Sequence, residues 1–380
     1  MRLVFLTNYV NHHQIPLADA FFSILGHDYA YVAMHKMPES FTQTGYPSIE
    51  RDYILRPYES EATKADLPTL VYNADIVIAG AVSPKLLVRR IKEGKLTFNY
   101  NERWFKDGMG VFKRPWVLWY YLFYHTRFRK KNLYMLCASF YTASDTRKML
   151  AYPNKCFQWG YFPNIGNGHK LDYKSCKERC IVKIISIARF IAWKHHEYQL
   201  FAAKYLKDKG LNFHLQLYGT GPTLESMKSL AKQLDVMDCV SFMGNTTNDT
   251  IMQELAESDI FLFTSDRNEG WGVVVSEAMS CGCAVIASDQ AGATKALIKH
   301  GQNGLIFESG NQNQLNECLE KLLSDRDEIE KLGANARETM LKMWNPEVAA
   351  KRFLKLAETI EAGGKYKTLY EDGPGRFINN

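Results

Sequence analysis

One segment joins a predicted strand to a predicted helix and carries two glutamates eight positions apart: Ser265-Asp-Arg-Asn-Glu269-Gly-Trp-Gly272-Val-Val-Val-Ser-Glu277-Ala278. The apolar run Asp259-Ile-Phe-Leu-Phe263 precedes it and predicts a buried strand. The residues from Val273 to Met279 predict a helix. A strand, a glycine-containing turn and a helix in this order are typical of a parallel α/β sheet.

The turn of this segment has the composition of a ligand-binding loop. Gly270 and Gly272 let the backbone approach a ligand closely, and the start of the helix presents free N–H groups that suit a phosphate. Glu269 lies in the turn and Glu277 lies farther along the helix, so both carboxylates are available to hydroxyl groups. Two solvated glutamates on an exposed helix are the structural alternative. The combination favours a site for a sugar nucleotide.

A second candidate site follows another strand. The run Ile181-Val-Lys-Ile-Ile-Ser-Ile-Ala188 alternates too little for a surface strand and predicts a buried parallel one. Arg189 follows it directly, and Lys194 stands five positions later. Fixed cations stabilise a departing diphosphate more in the transition state than in the ground state. We therefore expect Arg189 and Lys194 to hold a leaving nucleoside diphosphate, with solvated surface charges as the alternative.

These segments resemble the retaining glycosyltransferases of the GT-B fold, the large family four that includes many bacterial polysaccharide and lipid-linked sugar transferases. The hallmark of that family is a glutamate, seven residues and a second glutamate, here Glu269 and Glu277. Its members also carry an arginine and a lysine at the spacing of Arg189 and Lys194. The chain departs from the family where His195 follows this lysine in place of the usual glycine.

The resemblance implies an α/β protein of GT-B fold, in which two Rossmann-like, doubly wound lobes face a central cleft. We place an acceptor-binding lobe at residues 1–165 and a nucleotide-sugar-binding lobe at residues 166–345. Residues 346–380 are expected to form a C-terminal helix that crosses back to the first lobe, plus a tail without clear structure. The length of 380 residues and the hydrophobic content of 46% fit two domain-sized cores.

The resemblance also assigns roles to residues. Arg189 and Lys194 would stabilise the departing diphosphate, Glu269 would hold the transferred sugar, and Glu277 would bind the ribose hydroxyls. Further donor contacts are expected from the glycine turns and the start of the helix, namely Gly219, Gly244, Gly270, Trp271, Gly272 and Val273. A UDP-sugar is the favoured donor and a GDP-sugar the alternative.

No cofactor and no metal ion are expected, because cations and a helix start already supply positive charge and the nucleotide sugar is a co-substrate. The Asp-x-Asp triplet of metal-dependent glycosyltransferases occurs only as Asp325-Arg-Asp327. It lies in a charged turn between two predicted helices, far along the chain from the phosphate site. We interpret this triplet as a solvated turn.

Acceptor contacts are harder to assign from sequence. His13 follows the first predicted strand within Asn11-His-His-Gln14, where family members often have glycines. A hydrogen bond to the donor or acceptor is one interpretation of His13, and a simple helix-start residue is the other. Asn101 and Glu102 follow the predicted strand Leu96–Tyr100 and are candidates to face the cleft. A surface salt bridge between Glu102 and Arg103 is the alternative.

Positive charge is concentrated in one aromatic region of the first lobe. Residues 85–131 contain 13 Lys and Arg against 3 Asp and Glu, a net charge of +10. Interleaved rings and cations suit an anionic membrane surface, and a partly buried helix whose rings fill the core is the alternative. No recognised nucleic-acid module accompanies this region, so nucleic acid is not an expected partner. The candidate membrane-contact residues are Trp116, Trp119, Arg127, Arg129, Lys130 and Lys131.

The remaining sequence features bear on location. The chain opens on Met1-Arg-Leu-Val-Phe-Leu-Thr7, which predicts a first strand and not a signal peptide. No apolar run reaches the length of a membrane span, and the eight cysteines show no Cys-x-x-Cys metal spacing. We expect a cytoplasmic protein, either free or attached peripherally to the inner face of the cell membrane.

The predicted function is a retaining glycosyltransferase that moves a sugar from a nucleotide sugar to a glycan or polyprenyl-linked acceptor in surface-glycan biosynthesis. A sugar-nucleotide epimerase of the same fold and a non-catalytic nucleotide-sugar-binding protein are the alternatives. A nicotinamide dehydrogenase is remote, because no Gly-x-Gly-x-x-Gly follows the first strand.

Overall fold

A computed structural model describes residues 1–38, 49–106, 108–164 and 180–379, which form two α/β units. Among the described residues, 1–38, 49–164 and 343–379 belong to the first unit, and 180–342 belong to the second. No helix in these ranges is long and apolar enough to cross a membrane.

The first unit is built on a mainly parallel sheet. Its elements begin with the buried strand β1, in which all five residues are in the core. In chain order they are β1 (Leu3–Thr7), α1 (Ile15–Leu25), β2 (Tyr29–Ala33), β3 (Ile54–Leu55), α2 (Glu61–Asn73), β4 (Ile76–Gly80), α3 (Val88–Lys92), β5 (Thr97–Asn101), α4 (Pro115–Tyr124), β6 (Leu133–Cys137), α5 (Thr142–Lys148) and β7 (Cys156–Gln158).

The second unit alternates strands and helices throughout its described part. The neighbouring strands of its sheet pair in parallel, for example Ile260–Phe263 with Ala284–Ala287. In chain order the elements are β8 (Val182–Ile187), α6 (His196–Asp208), β9 (Phe213–Tyr218), α7 (Leu224–Gln233), β10 (Val240–Gly244), α8 (Asn248–Glu257), β11 (Ile260–Phe263), α9 (Val273–Cys281), β12 (Ala284–Ser288), α10 (Gly292–Leu297), β13 (Leu305–Phe307), α11 (Gln312–Ser324) and α12 (Arg326–Lys342).

The chain then returns to the first unit through α13 (Pro346–Glu361) and β14 (Phe377–Ile378). Phe353 of α13 packs its ring against Phe21 and Phe98, at centroid distances of 5.5 Å and 4.9 Å. The expectation of a tail without structure is wrong. β14 pairs antiparallel with β7 and forms the edge of the sheet. A strand this short leaves little pattern in the sequence, because it forms only by pairing with the exposed edge of an existing sheet.

Both sheets reverse their winding once. The first sheet has the order β14-β7-β6-β5-β4-β1-β2-β3, and the second has the order β10-β9-β8-β11-β12-β13. The reversal therefore falls between β1 and β4 in the first unit, and between β8 and β11 in the second. In such sheets ligands bind outside the carboxyl ends of the strands at the reversal. The predicted class, α/β with two Rossmann-like doubly wound units, is confirmed.

Two glycines shape the turn after β9. Gly219 has a φ of +130°, and a Cβ at this position would lie 2.0 Å from the Ala188 carbonyl oxygen. Gly221 has a φ of +155°, and a Cβ there would lie 2.3 Å from the Phe190 carbonyl oxygen. The turn therefore crosses the chain that leaves β8 at backbone contact, which only glycine permits.

Replacing Gly219 with alanine should destabilise the second unit more than the same change at Gly210. Both glycines have positive φ, but a Cβ at Gly210 meets nothing within 4 Å. We expect Gly210→Ala to cost about 1 kcal/mol of unfolding free energy and Gly219→Ala roughly 2 kcal/mol more. Urea unfolding followed by circular dichroism measures both, and equal costs would contradict the close approach.

Candidate functional site

The winding reversal of the second sheet brings together two of the predicted site residues. Lys194 follows β8, Glu269 follows β11, and the Lys194 Nζ forms an ion pair with the Glu269 Oε2. The two side chains are only 11% and 13% exposed. Residues 75 positions apart thus form one charged centre at the edge where parallel α/β sheets bind ligands.

Short polar contacts join the two loops that carry this ion pair. The Thr264 hydroxyl donates to the Lys194 carbonyl oxygen at 2.7 Å, and the Asp266 N–H donates to the Trp193 carbonyl oxygen at 3.0 Å. The buried Gln199 amide donates to the Thr264 and Ser186 hydroxyls at 2.8 Å and 2.9 Å. Sequence reasoning missed these supports, because their only signal is polar residues at apolar strand ends.

Aromatic rings flank the ammonium group of Lys194. Its Nζ lies 4.5 Å from the centroid of the Trp193 ring and 5.1 Å from that of Phe263. Such ring faces attract a cation, and they limit its contact with water. The positive charge is therefore held in a fixed place between a carboxylate and two rings.

Arg189 lies differently from Lys194. It is exposed, lies two residues after the end of β8, and forms no ion pair with any described residue. Its guanidinium is therefore available to an anion in solution, whereas Lys194 already has a carboxylate partner. The structure gives the two predicted cations different surroundings at the end of the same strand.

Gly272 takes a left-handed backbone conformation at the start of α9. Gly272 precedes the helix with a φ of +88°, and a Cβ there would lie 3.0 Å from the Phe263 ring. Val273 is the first helical residue and is half-buried, and Gly270 is buried.

Trp271 is placed in the core. Its ring is 1% exposed, its Nε1 donates to the Ser276 hydroxyl at 3.2 Å, and its carbonyl accepts from the Ala293 N–H at 2.8 Å. The side chain therefore anchors the loop in the core of the second unit.

Glu277 lies inside α9 and is 7% exposed. Burial raises the pKa of its carboxyl group from 4.5 to about 7. The physical cause is desolvation, which penalises the charged form. Because this pKa lies near neutral pH, a ligand that donates hydrogen bonds to the ionised carboxylate shifts the group from its neutral form to its charged form.

The two other predicted donor glycines lie on the opposite side of β8. Gly219 directly follows β9 and Gly244 ends β10, and the Gly219 N–H donates to the Gly244 carbonyl oxygen at 2.8 Å. Gly244 has a φ of +73° and open space where a Cβ would lie. The carboxyl ends of β8, β9 and β10 are therefore linked in one row.

The winding reversal of the first sheet opens a cavity of about 410 Å³. Asn101 and Glu102 both line it at the end of β5. The Glu102 carboxylate pairs with Lys106 at 2.7 Å and accepts from the Tyr161 hydroxyl at 3.2 Å, so Lys106 takes the place expected for Arg103. The other lining residues include Thr7, Asn8, Tyr9, Asn11, Gln14, Gly80, Tyr100, Trp104 and Tyr121.

His13 belongs to the loop before α1. Its N–H donates to the Asn11 side-chain oxygen at 3.0 Å, and its ring lies against that of His12 with centroids 3.5 Å apart. Burial, together with the neighbouring His12, lowers the pKa of His13 well below its usual value. Asn11 and Gln14 are among the residues that line the 410 Å³ cavity, but His13 is not.

Helix α4 presents aromatic rings to solvent. None of its residues is fully buried, and Trp116 and Trp119 are 69% and 56% exposed. The predicted cations Arg127, Arg129, Lys130 and Lys131 are all exposed, and the Arg127 guanidinium lies 3.5 Å from the centroid of the Phe123 ring. The alternative that these rings fill the core holds only for the inner face, where Tyr121 stacks on Trp104 at 4.4 Å.

Within the described residues, no group of three or more His, Cys, Asp or Glu is placed to hold a metal ion. The Asp325 carboxylate accepts from the N–H groups of Asp327 and Glu328 at 3.1 Å and 3.2 Å. The Asp-x-Asp triplet therefore caps the start of α12.

Comparison with solved structures identifies the fold of the chain. HepE of Anabaena, solved in complex with UDP, superposes with a TM-score of 0.67 over 95% of this chain and 100% of its own, at 15% identity. The fold is that of the GT-B glycosyltransferases. Residues 182–339, which lie wholly in the second unit, match the family model described as "Glycosyl transferases group 1".

Two curated relatives each match somewhat less than half of this chain. A Mycobacterium tuberculosis GDP-mannose-dependent alpha-(1-6)-phosphatidylinositol monomannoside mannosyltransferase is 27% identical over 47% of this chain and 46% of its own. A Bacillus anthracis N-acetyl-alpha-D-glucosaminyl L-malate synthase is 31% identical over 43% of this chain and 40% of its own. The chain thus spans somewhat less than half the length of these relatives.

Glu277→Gln should make the stability of the protein less dependent on pH. A carboxyl whose pKa is about 7 when folded and 4.5 when unfolded destabilises the fold increasingly as pH rises through this window. At pH 8 we expect the variant to gain up to about 3 kcal/mol over the wild type, and almost nothing at pH 4. Chemical unfolding at several pH values measures this difference.

Glu225→Gln is the matched control, because Glu225 is 81% exposed on α7. This variant should follow the wild type at every pH. A Glu277→Gln variant that also tracks the wild type from pH 4 to 8 would mean that the buried carboxyl keeps its ordinary pKa.

Proposed function

We propose that the protein is a retaining glycosyltransferase that moves a sugar from a nucleotide sugar to a glycan or lipid-linked acceptor. The observation that carries the proposal is the Lys194–Glu269 ion pair at the winding reversal of the second sheet. The match of residues 182–339 to the glycosyl transferases group 1 model supports it independently. A UDP-sugar is the favoured donor, since the UDP complex of HepE shares the fold, and the GDP-mannose-dependent relative makes a GDP-sugar the second choice.

The donor diphosphate takes Lys194 and the exposed Arg189 as its cationic partners. When the diphosphate binds Lys194, the Glu269 carboxylate loses its ion pair and accepts hydrogen bonds from hydroxyl groups of the transferred sugar. One ligand thereby pairs with both charges of a centre that is largely shielded from water. A simple ion that binds either charge alone would leave the other charge unpaired. The backbone at Gly270 and the start of α9 add N–H donors.

Glu277 binds the ribose hydroxyls of the donor. Its raised pKa favours this role, because two hydroxyl donors stabilise the ionised form that burial penalises. Donor binding then draws the carboxyl group toward its charged state and releases a proton near pH 7.

Transfer proceeds by attack of the acceptor on the face of the sugar from which the diphosphate leaves. The bond between the anomeric carbon and the phosphate oxygen breaks, the acceptor oxygen bonds to that carbon, and a donor phosphate oxygen takes the acceptor proton. Arg189 and Lys194 stabilise the charge that develops on the diphosphate. This route retains the anomeric configuration and requires neither a protein nucleophile nor a metal ion.

The acceptor binds in the 410 Å³ cavity of the first unit. The cavity combines the Glu102 carboxylate and the Asn101 amide with rings such as Tyr100 and Trp104, which suits sugar hydroxyls and sugar faces together. Tyr121 of α4 lines this cavity, and the outer face of the same helix exposes Trp116 and Trp119. This arrangement favours an acceptor whose sugar enters the cavity while its lipid part stays in a membrane beside α4.

The same surface supports a membrane role for α4. Exposed tryptophans and a net charge of +10 over residues 85–131 suit the headgroup region of an anionic bilayer. We place the protein at the cytoplasmic face of the cell membrane, attached peripherally. The mannosyltransferase relative, whose name gives a phosphatidylinositol monomannoside substrate, is consistent with this location.

Lys194→Ala and Glu269→Gln should each lower transfer from the chosen donor by at least about a hundredfold, because each removes one side of the proposed charged centre. The donor is first chosen by thermal shift with UDP, GDP, ADP and their sugars, since a ligand that binds only the folded state raises the melting temperature. Transfer is then measured with that donor and a lipid-linked glycan acceptor.

The controls are Lys183→Ala and Glu257→Gln, which break an exposed ion pair of 3.3 Å in the same unit. Both should keep wild-type turnover. Near-normal turnover in Lys194→Ala would end the site assignment. Conversion of the donor without an acceptor would identify an epimerase, and donor binding without any product would identify a binding protein.

Replacing Trp116 and Trp119 with serine, or Arg129 and Lys130 with glutamate, should abolish binding to phosphatidylglycerol vesicles. The first pair removes rings that enter the headgroup region, and the second reverses charges worth about 1 kcal/mol each near an anionic surface. Vesicle co-sedimentation at low and high salt measures both.

Lys232→Glu with Lys342→Glu serves as the control, because both lysines are exposed in the second unit. This variant should bind vesicles as the wild type does. Unchanged binding in both α4-region variants, or equal binding to neutral phosphatidylcholine vesicles, would argue against the membrane surface.

A further inference from the structure

His195 occupies a backbone conformation that histidine rarely adopts. Its φ and ψ are both +52°, in the left-handed region, which glycine enters freely and other residues enter at a cost. The conformation raises the question of what holds a histidine there.

Both ring nitrogens of His195 face a carboxylate. The Nδ1 lies 2.7 Å from the Glu197 Oε1, and the Nε2 lies 3.3 Å from the Asp266 Oδ2. A neutral imidazole has one N–H and can donate to only one of them, whereas an imidazolium donates to both. The geometry is therefore that of a protonated histidine between two anions, one on α6 and one on the loop after β11.

Asp266 extends this bridge to the proposed sugar-binding glutamate. Its other oxygen, Oδ1, accepts from the Asn268 N–H at 2.8 Å and from the Asn268 amide at 3.0 Å. The Asp266 carbonyl oxygen accepts from the Glu269 N–H at 3.1 Å. The turn that presents Glu269 is thus built on Asp266, and His195 binds the free side of the same carboxylate.

We propose that protonated His195 is a positioning residue, which bridges Glu197 and Asp266 and thereby holds Lys194 and Glu269 in register for the diphosphate and the sugar. The inference rests on the proposed glycosyltransferase function and adds a pH dependence to it. Deprotonation removes the N–H that His195 donates to one of the two carboxylates, loosens the turn before Glu269, and lowers turnover.

The charges around His195 agree with this role. Hydrogen bonding to Glu197 raises its pKa above 6.5, against the effect of burial, and Asp266 adds to the rise. Tyr198 of α6 stacks on the imidazole with centroids 4.9 Å apart, and the adjacent Lys194 directs its ammonium to Glu269. A raised pKa means that the bridge is complete below pH 6.5 and is lost as the pH rises through the raised value.

The test is His195→Asn, because asparagine tolerates the left-handed region but cannot carry a charge. We expect kcat at pH 6.5 to fall about tenfold to a hundredfold, with little change in the KM for the donor. The alkaline fall of the wild-type kcat profile should disappear in the variant. A variant that keeps this fall, or keeps kcat within about twofold of wild type, overturns the proposal.

His196→Asn is the matched control. His196 is the next residue, stacks on Phe190 at 4.0 Å, and has a pKa that burial lowers to about 4. The shape of its pH profile should match the wild type. A profile that changes equally in both variants would assign the effect to local packing and overturn a specific role for His195.

A readout without turnover separates this inference from the proposed function. Nuclear magnetic resonance of ring-labelled histidine should show His195 titrating above pH 6.5 in the wild type, and lower in Asp266→Asn. A raised titration in a protein that transfers no sugar would keep the bridge and reject the glycosyltransferase. A titration at the ordinary value would reject the bridge in an active enzyme.

Discussion

The ion pair between Lys194 and Glu269 depends on one constraint, the order of strands in the second sheet. Strands β8 and β11 are neighbours although β9 and β10 come between them in the chain. Since parallel strands end at the same edge, the loops after β8 and β11 have to meet there. Opposite charges on these loops then pair where both are largely shielded from water. The chemistry proposed for the second unit follows from that meeting, as does the bridge through His195.

The surroundings of this pair are made rigid by backbone contact as much as by side chains. Gly219 and Gly221 let the turn after β9 cross the chain that leaves β8 without a Cβ between them. Thr264 and Gln199 join the loops by hydrogen bonds of 2.7 Å and 2.8 Å. A site that must hold two charges in register gains from such support, because a loose loop would pair its charges with water instead.

Sequence patterns predicted the strongest elements and missed the weak ones. The strands at Leu3–Thr7, Thr97–Asn101, Val182–Ile187 and Ile260–Phe263 lie where apolar runs placed them, and α13 begins at Pro346, the expected start of the C-terminal helix. The last two strands on one side of the first sheet, β7 and the edge strand β14, have three and two residues and were not predicted. Short edge strands carry little apolar periodicity, since their stability comes from a neighbour far away in the chain. Composition likewise did not determine that Trp271 is buried or that Trp116 is exposed.

The sequence by itself determined the local character of this protein. Its apolar runs specified buried strands, its glycines specified turns, and the spacing of Glu269 and Glu277 specified a loop and helix suited to a sugar nucleotide, because each depends on neighbours within a few residues. Only the tertiary structure decided which charges meet, that burial raises the pKa of Glu277 to about 7, and that His195 lies between two carboxylates. These properties depend on strand order and burial, which bring together residues up to 75 positions apart.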